Sequence, residues 1–246
     1  MELDSRTGGR CHPLATDRAS GPSTALEAVM TLVRCEVNEV IYRHGEQAQY
    51  WYRLVTGAAR KCSVRMGGRR QIVDFLLPED VFGFGVEDLH QFSTEAVTTG
   101  TTLARYPRRA AEELAECDLQ VSRLLREKAF HSISRLQART LILGHASALA
   151  RVSAFLLEWT NRCKQPPGTP INLPMSRHDI ADYLAVAVET VSRCLTLLRT
   201  QHVIVLRGTR RISICNRWAL ELAAKGTEEL KGPDGLKGTE ELLMAN

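Results

Sequence analysis

The chain has 246 residues, 44% hydrophobic and 24% charged, enough to bury the cores of one large or two modest domains and too apolar for global disorder. No apolar run approaches the ~20 residues a membrane helix needs, and residues 1–24 lack the apolar stretch of a secretory signal. The net charge of +4 admits nucleic acid as a partner without requiring it, and seven scattered cysteines with no CxxC spacing suit reduced thiols in the cytosol.

Residues 1–24, rich in Gly, Pro, Ser and Thr without periodicity, are predicted to form a mobile arm. From about 37 to 107 short runs at 51–55, 60–64 and 71–76 are punctuated by turn residues at Gly45-Glu46, Gly57, Gly67-Gly68 and Pro78-Glu79-Asp80. The RMGGRR stretch around Gly67-Gly68 is a hairpin signal. Short strands spaced roughly 8–12 residues apart point to an antiparallel sandwich or barrel, assigned to residues 25–117.

From about 108 the period becomes helical. Leu125, Ala129, Ile133, Leu136, Thr140 and Leu143 step by threes and fours into a narrow apolar seam on a long helix over 118–145. Such a seam suits pairing with a second copy of the helix. Packing on the chain's own sheet is the lesser alternative, because a long helix between two compact domains has little else to bury against. Gly144 interrupts the pattern, an amphipathic helix over about 148–163 follows, and QPPGTP at 165–170 ends it.

Residues 146–224 carry the chemistry. Ser176 followed by Asp179 is a capping-box-like start, with Ile180, Ala181 and Leu184 as the buried face of a short helix. Ala185-Val186-Ala187 makes a turn into a second helix from Val188 to about Gln201, with Val191, Leu195 and Leu198 inward. Glu189, Thr190, Ser192, Arg193, Thr196 and Arg199 populate its outward faces. Arg193 can contact guanine O6 and N7 together, Glu189 can accept from a cytosine amino group, and Ser192 can serve a base edge or a phosphate. The HVIVLRGTRRISI segment then alternates strand, turn and strand, a wing with Arg207, Arg210 and Arg211 around Gly208, well placed for phosphates. A solvated face explains any one of these charges; the combination favours DNA. Cys194, beside Arg193, reads mainly as a small, partly buried side chain. The alternative is a thiol whose pKa is lowered by cationic surroundings and whose oxidation hinders DNA binding. The tail at 225–246 writes KGTEEL twice, at 225–230 and 237–242; without an apolar face it is a local duplication or an expression scar.

The stretch MSRHDIADYLAVAVETVSRCLTLL resembles the helix-turn-helix of the cyclic-AMP-receptor/FNR superfamily of bacterial transcription regulators. GEQAQYWYRLVTGAARKCSV and FLLPEDVFGF resemble its jelly-roll sensor domain. The resemblance covers about residues 30–224. It implies an α+β chain with an N-terminal antiparallel jelly-roll like that of cyclic-nucleotide-binding proteins, a long dimerisation helix and a C-terminal winged helix-turn-helix. The E-x-x-S-R pattern of Glu189, Ser192 and Arg193 is similar to that of the FNR and FixK branches, whose targets are palindromes of the TTGAT–N4–ATCAA kind. By that likeness Glu189 and Arg193 read bases, helped by Ser192 and Val188. Phosphates fall to Ser176, Arg177, Thr190, Arg199, Arg207 and Arg210.

Departures from the family narrow the branch. Cyclic-nucleotide-binding members carry a glutamate for the ribose and an arginine for the cyclic phosphate; GFGVEDLHQFSTEA offers Glu87 and Ser93 but no arginine. FNR-type iron–sulfur binding needs clustered N-terminal cysteines, whereas Cys11 stands alone and Cys35 lies too far on. The histidines are too dispersed for a heme or zinc site. What remains resembles the FixK group, which lacks both cofactors and serves microoxic, nitrogen-fixation or denitrification genes in rhizobia and relatives. Serine at 176, where some relatives have cysteine, removes a thiol switch at that spot. Alanine at 185, where the family usually has glycine, implies a slightly different backbone. The expected protein is a cytoplasmic, cofactor-free homodimer that binds double-stranded DNA and touches RNA polymerase as an activator, and is not an enzyme. The alternatives are a regulator gated by an unidentified small molecule and, more remotely, a cupin-like metal enzyme, for which His44 with Glu46 is the nearest approach to a ligand cluster.

Overall fold

The computed structural model describes residues 12–13, 24–64, 70–85, 87–166 and 168–226. Most of the predicted arm, the Gly67-Gly68 turn and the KGTEEL tail beyond residue 226 lie outside the described residues. The chain divides into two compact units, one ending at Gln137 and one beginning at Ala138.

The first unit contains β1 (His12–Pro13), α1 (Thr24–Val29), β2 (Thr31–Cys35), β3 (Val40–Tyr42), β4 (Tyr50–Thr56), β5 (Ala59–Val64), β6 (Arg70–Leu76), β7 (Val81–Phe82), β8 (Ser93–Ala96), β9 (Thr101–Pro107) and α2 (Arg108–Cys117). All pairings are antiparallel, in two sheets ordered β1-β2-β9-β4-β7 and β3-β8-β5-β6. The expected jelly-roll is thus a two-sheet sandwich. Strand alternation explains it: Tyr52 and Leu54 of β4 turn inward with Val33, Cys35, Tyr42, Phe82 and Leu103 to form the core. The β1 strand, within the predicted arm, pairs His12 with Arg34 and Pro13 with Val33.

A second cluster gathers Leu26, Ala104, Tyr106, Ala111 and Val121 with partly buried Leu124 and Leu125, the last three from α3 (Leu119–Gly144). Ion pairs fix that helix within this unit. The Arg135 guanidinium donates from Nε to Asp74 at 3.1 Å and from Nη1 to Asp80 at 2.9 Å. The other Asp80 oxygen accepts the Leu77 N–H at 2.8 Å.

The second unit holds α4 (Ala148–Cys163), β10 (Ile171–Asn172), α5 (Arg177–Leu184), α6 (Val188–Thr200), β11 (Ile204–Arg207), β12 (Arg211–Ile214) and α7 (Arg217–Ala224), with β12 central in a three-stranded sheet. Ser147 caps α4 by accepting the Ala150 N–H at 3.1 Å. Its apolar face supplies Phe155 and Trp159; Phe155 packs on Tyr183 of α5, and the Trp159 indole N–H donates to the Asn172 carbonyl. Leu184, Val191, Leu198, Ile204, Ile212 and Leu220 are also buried in this unit, from α5, α6, the wing and α7.

Candidate nucleic-acid interface

The turn between α5 and α6 decides what α6 presents. The capping box is formed in full: Ser176 Oγ accepts the Asp179 N–H at 3.1 Å, and Asp179 Oδ2 accepts the Ser176 N–H at 3.0 Å. The Ser176 hydroxyl also donates to Asp179 Oδ2 at 2.8 Å. Its proton is therefore engaged inside the cap in this DNA-free structure. Ala185 ends α5 at φ 55°, ψ 44°, in the left-handed region. The backbone is the one glycine favours, contrary to the expected departure; alanine adopts it against a steric cost of roughly 1 kcal/mol.

The α6 helix buries Val191, Cys194, Leu195 and Leu198. Glu189, Arg193 and Thr196 form an exposed row on the opposite side, with half-buried Val188, Thr190 and Ser192 and exposed Arg199 flanking it. Ala187 gives α6 no side-chain cap. Arg177, the first residue of α5, donates from Nη1 to Ser192 Oγ at 3.2 Å. That contact has no counterpart in the sequence reading, which placed the two residues in separate roles. Cys194 is buried on the inner face, as its main reading expected, and burial pushes its thiol up, against the alternative of a thiol lowered by cationic surroundings.

The wing turns at Gly208, φ 70°, and sets Arg207 directly opposite Arg211 across the hairpin, with exposed Arg210 at the tip. Facing like charges destabilise a bare hairpin and are relieved by a polyanion.

On α3, the residues of the expected seam divide. Leu125 packs into its own core, Ala129 and Leu143 are half-buried, and Ile133, Leu136 and Thr140 are exposed. Within the first unit the exposed apolar stripe runs through Leu119, Phe130 and Ile133, within a sector about 60° wide at ~100° per residue, with Leu136 at its flank.

The sandwich bears a partly open pocket of about 340 Å³ whose lining includes Tyr42, Lys61, Gly85, Glu87, His90 and Gln91. Tyr42 and His90 stack at 3.7 Å; burial raises the Tyr42 pKa and lowers that of His90. Burial also lowers that of Lys61, against the pull of the Asp74 carboxylate. No arginine is among the described lining residues. Lys61, contributed by β5, is the cation the sequence reading missed; its strand alternation was visible, its place at the cavity was not.

A Crp-like helix-turn-helix domain matches residues 150–223, and a cyclic nucleotide-binding domain matches residues 32–118. Together with the relatives below, these define the class: the chain belongs to the CRP/FNR superfamily, as a FixK-type, DNA-binding transcription regulator. It is 41% identical over 180 residues to the nitrogen fixation regulation protein FixK of Rhizobium meliloti (strain 1021), covering 73% of this chain and 81% of that protein. It is 35% identical over 210 residues to FixK of Azorhizobium caulinodans, covering 84% of each. The solved structure of FixK2 from Bradyrhizobium japonicum is 39% identical and superposes with a TM-score of 0.72, over 78% of this chain and 96% of that one. Such relatives are regulators, and the cupin-like enzyme reading falls away. Among the described residues no helix is long and apolar enough to cross a membrane.

Proposed function

We propose that the protein is a cytoplasmic homodimer that activates transcription from a TTGAT–N4–ATCAA-like palindrome without a bound cofactor. The observation that carries this reading is the exposed Glu189–Arg193–Thr196 row on α6, followed by the Arg207, Arg210 and Arg211 wing. In a dimer built along α3, two such helices enter successive major grooves about one turn, ~34 Å, apart. Base edges are read by Glu189 and Arg193 with Ser192 and Val188, and phosphates are held by Ser176, Arg177, Thr190, Arg199, Arg207 and Arg210. The microoxic, nitrogen-fixation or denitrification genes of the FixK group are the targets, and RNA polymerase is the partner on the promoter. The names of the relatives support this assignment.

The test is fluorescence anisotropy with reduced protein, no added ligand or metal, and palindromic against scrambled duplex. Tight, selective binding supports the reading. Arg193→Ala weakens palindrome binding by about 1–3 kcal/mol and relaxes preference at one base pair per half-site. Arg210→Ala weakens both duplexes by a similar factor and flattens the salt dependence by about one counterion. A loss confined to one base pair contradicts its phosphate role. A second reading is favoured by the cavity in the sandwich, whose volume suits a small effector. Equal, weak, salt-sensitive binding to both duplexes puts that gated reading first.

A further inference from the structure

The last turns of α3, from Ala138 to Gly144, belong to the second unit and divide into two sides. Thr140 and Leu141 are exposed, whereas Ile142 is buried and Arg139 and Leu143 are half-buried. At ~100° per residue Arg139, Ile142 and Leu143 share one side and the exposed pair the other. From the inner side Arg139 reaches the end of α5. Its guanidinium carbon lies 5.0 Å from the centroid of the Tyr183 ring, and its Nη2 donates to the Tyr183 carbonyl at 3.3 Å. The next carbonyl, that of Leu184, accepts from Arg151 Nη1 of α4 at 3.4 Å. Arg151 Nε donates to the His145 carbonyl, in the turn between α3 and α4, at 2.9 Å.

A helix leaves its last four carbonyls without intrahelical partners, and its dipole favours a cation at that end. In α5 the Ala181 carbonyl is taken by the amides of Ala185 and Val186, as the left-handed turn at Ala185 allows. The Tyr183 and Leu184 carbonyls are met instead by guanidinium groups from α3 and α4. A planar guanidinium that stacks on a ring and donates to the carbonyl of the same residue fixes direction as well as distance.

We infer that Arg139 is a positioning residue that sets which half-site spacing the protein accepts. It clamps the end of α5, just before the turn into α6, to the last turns of α3, whose other side presents Leu141 to a second copy. With the clamp closed, α6 is carried at one fixed angle from the pairing helix, and two copies reach half-sites at a single separation. Adding or removing one base pair rotates one half-site by roughly 35° and shifts it by ~3.4 Å, which a rigid link cannot follow. A residue that touches no DNA thereby sets specificity for the spacer. The inference rests on the reading of α6 as the DNA-binding helix of an α3-paired dimer.

The experiment uses the full-length protein with palindromes whose half-sites are three, four or five base pairs apart, an isolated half-site and a scrambled duplex, all read by anisotropy. Sedimentation equilibrium and urea unfolding accompany each variant. The unsubstituted protein prefers one spacing over its neighbours by roughly tenfold. Arg139→Met keeps much of the side chain's bulk without its charge or donors, and that ratio falls to about twofold, because a looser link spreads the effective concentration over several separations. The dimer and the half-site affinity stay as they were. If Arg139→Met shows no cooperative urea transition, Arg139→Gln, polar but two atoms shorter, carries the same comparison. An unchanged spacing ratio in the folded variant overturns the inference while leaving the DNA reading standing. Equal affinity of the unsubstituted protein for all three palindromes, each above the scrambled duplex, does the same. A loss of half-site affinity as large as the loss on the palindrome makes Arg139 a brace of the fold alone and overturns the inference too. No preference for any palindrome over the scrambled duplex overturns the reading of α6, and this inference with it.

Discussion

Ile133→Glu should convert the protein to a monomer in sedimentation equilibrium and lower its affinity for the palindrome by about a hundredfold, with binding to an isolated half-site little changed. Ile133 belongs both to the seam expected from spacing and to the stripe left exposed on α3, where it is 49% accessible beside Phe130 at 60%. Exposed side chains of that size along one helix face cost free energy until another surface covers them. In the proposed dimer, pairing of this face with its copy would cover them symmetrically, and a carboxylate at 133 would then be desolvated in the seam. Linking two recognition helices makes the second half-site contact intramolecular, and losing that linkage removes the gain without touching any DNA-contacting residue. A dimer that persists in Ile133→Glu, still tight on the palindrome, would show that the pairing surface lies elsewhere.

How much of this was legible in the sequence depended on whether a feature was local. The bounds of α4, the capping box at Ser176 and Asp179, the turn at 185–187 and the wing around Gly208 each leave a signature within a few residues, and each appears where its signature lies. The strands at 51–55, 60–64 and 71–76 were legible for the same reason. Periodicity locates an amphipathic face but not what covers it. Leu125 and Ile133 share a pattern, yet one packs on its own chain's core and the other is exposed. For Cys194 the main reading, a partly buried side chain, holds: its neighbour Arg193 is exposed on the opposite side of the helix, and burial governs the thiol. The Arg177–Ser192 contact depends on how α5 crosses α6, 15 residues apart in sequence. Lys61 reaches the cavity, and Arg135 reaches Asp74, through tertiary packing that no spacing encodes.

Arg135→Met should destabilise the first unit by about 3 kcal/mol, read as a lower midpoint in urea unfolding. Arg135 brings one guanidinium to two carboxylates, 61 and 55 residues away in sequence, and all three side chains are largely withdrawn from water, at 11%, 3% and 17% accessibility. An exposed pair would be worth a few tenths of a kcal/mol, because water and salt replace the lost partner. Here the methionine fills similar volume but leaves Asp74 and Asp80 without the cation they share, in a setting where burial already disfavours the charge on nearby Lys61. The cost thus comes from the charges left behind more than from the attraction removed. That distinction is measurable: Asp74→Asn in the Arg135→Met background should restore part of the lost stability, although it removes yet another charged group. Equal and additive losses in the two single variants would instead mean that Arg135 and Asp74 contribute through packing, independently of each other.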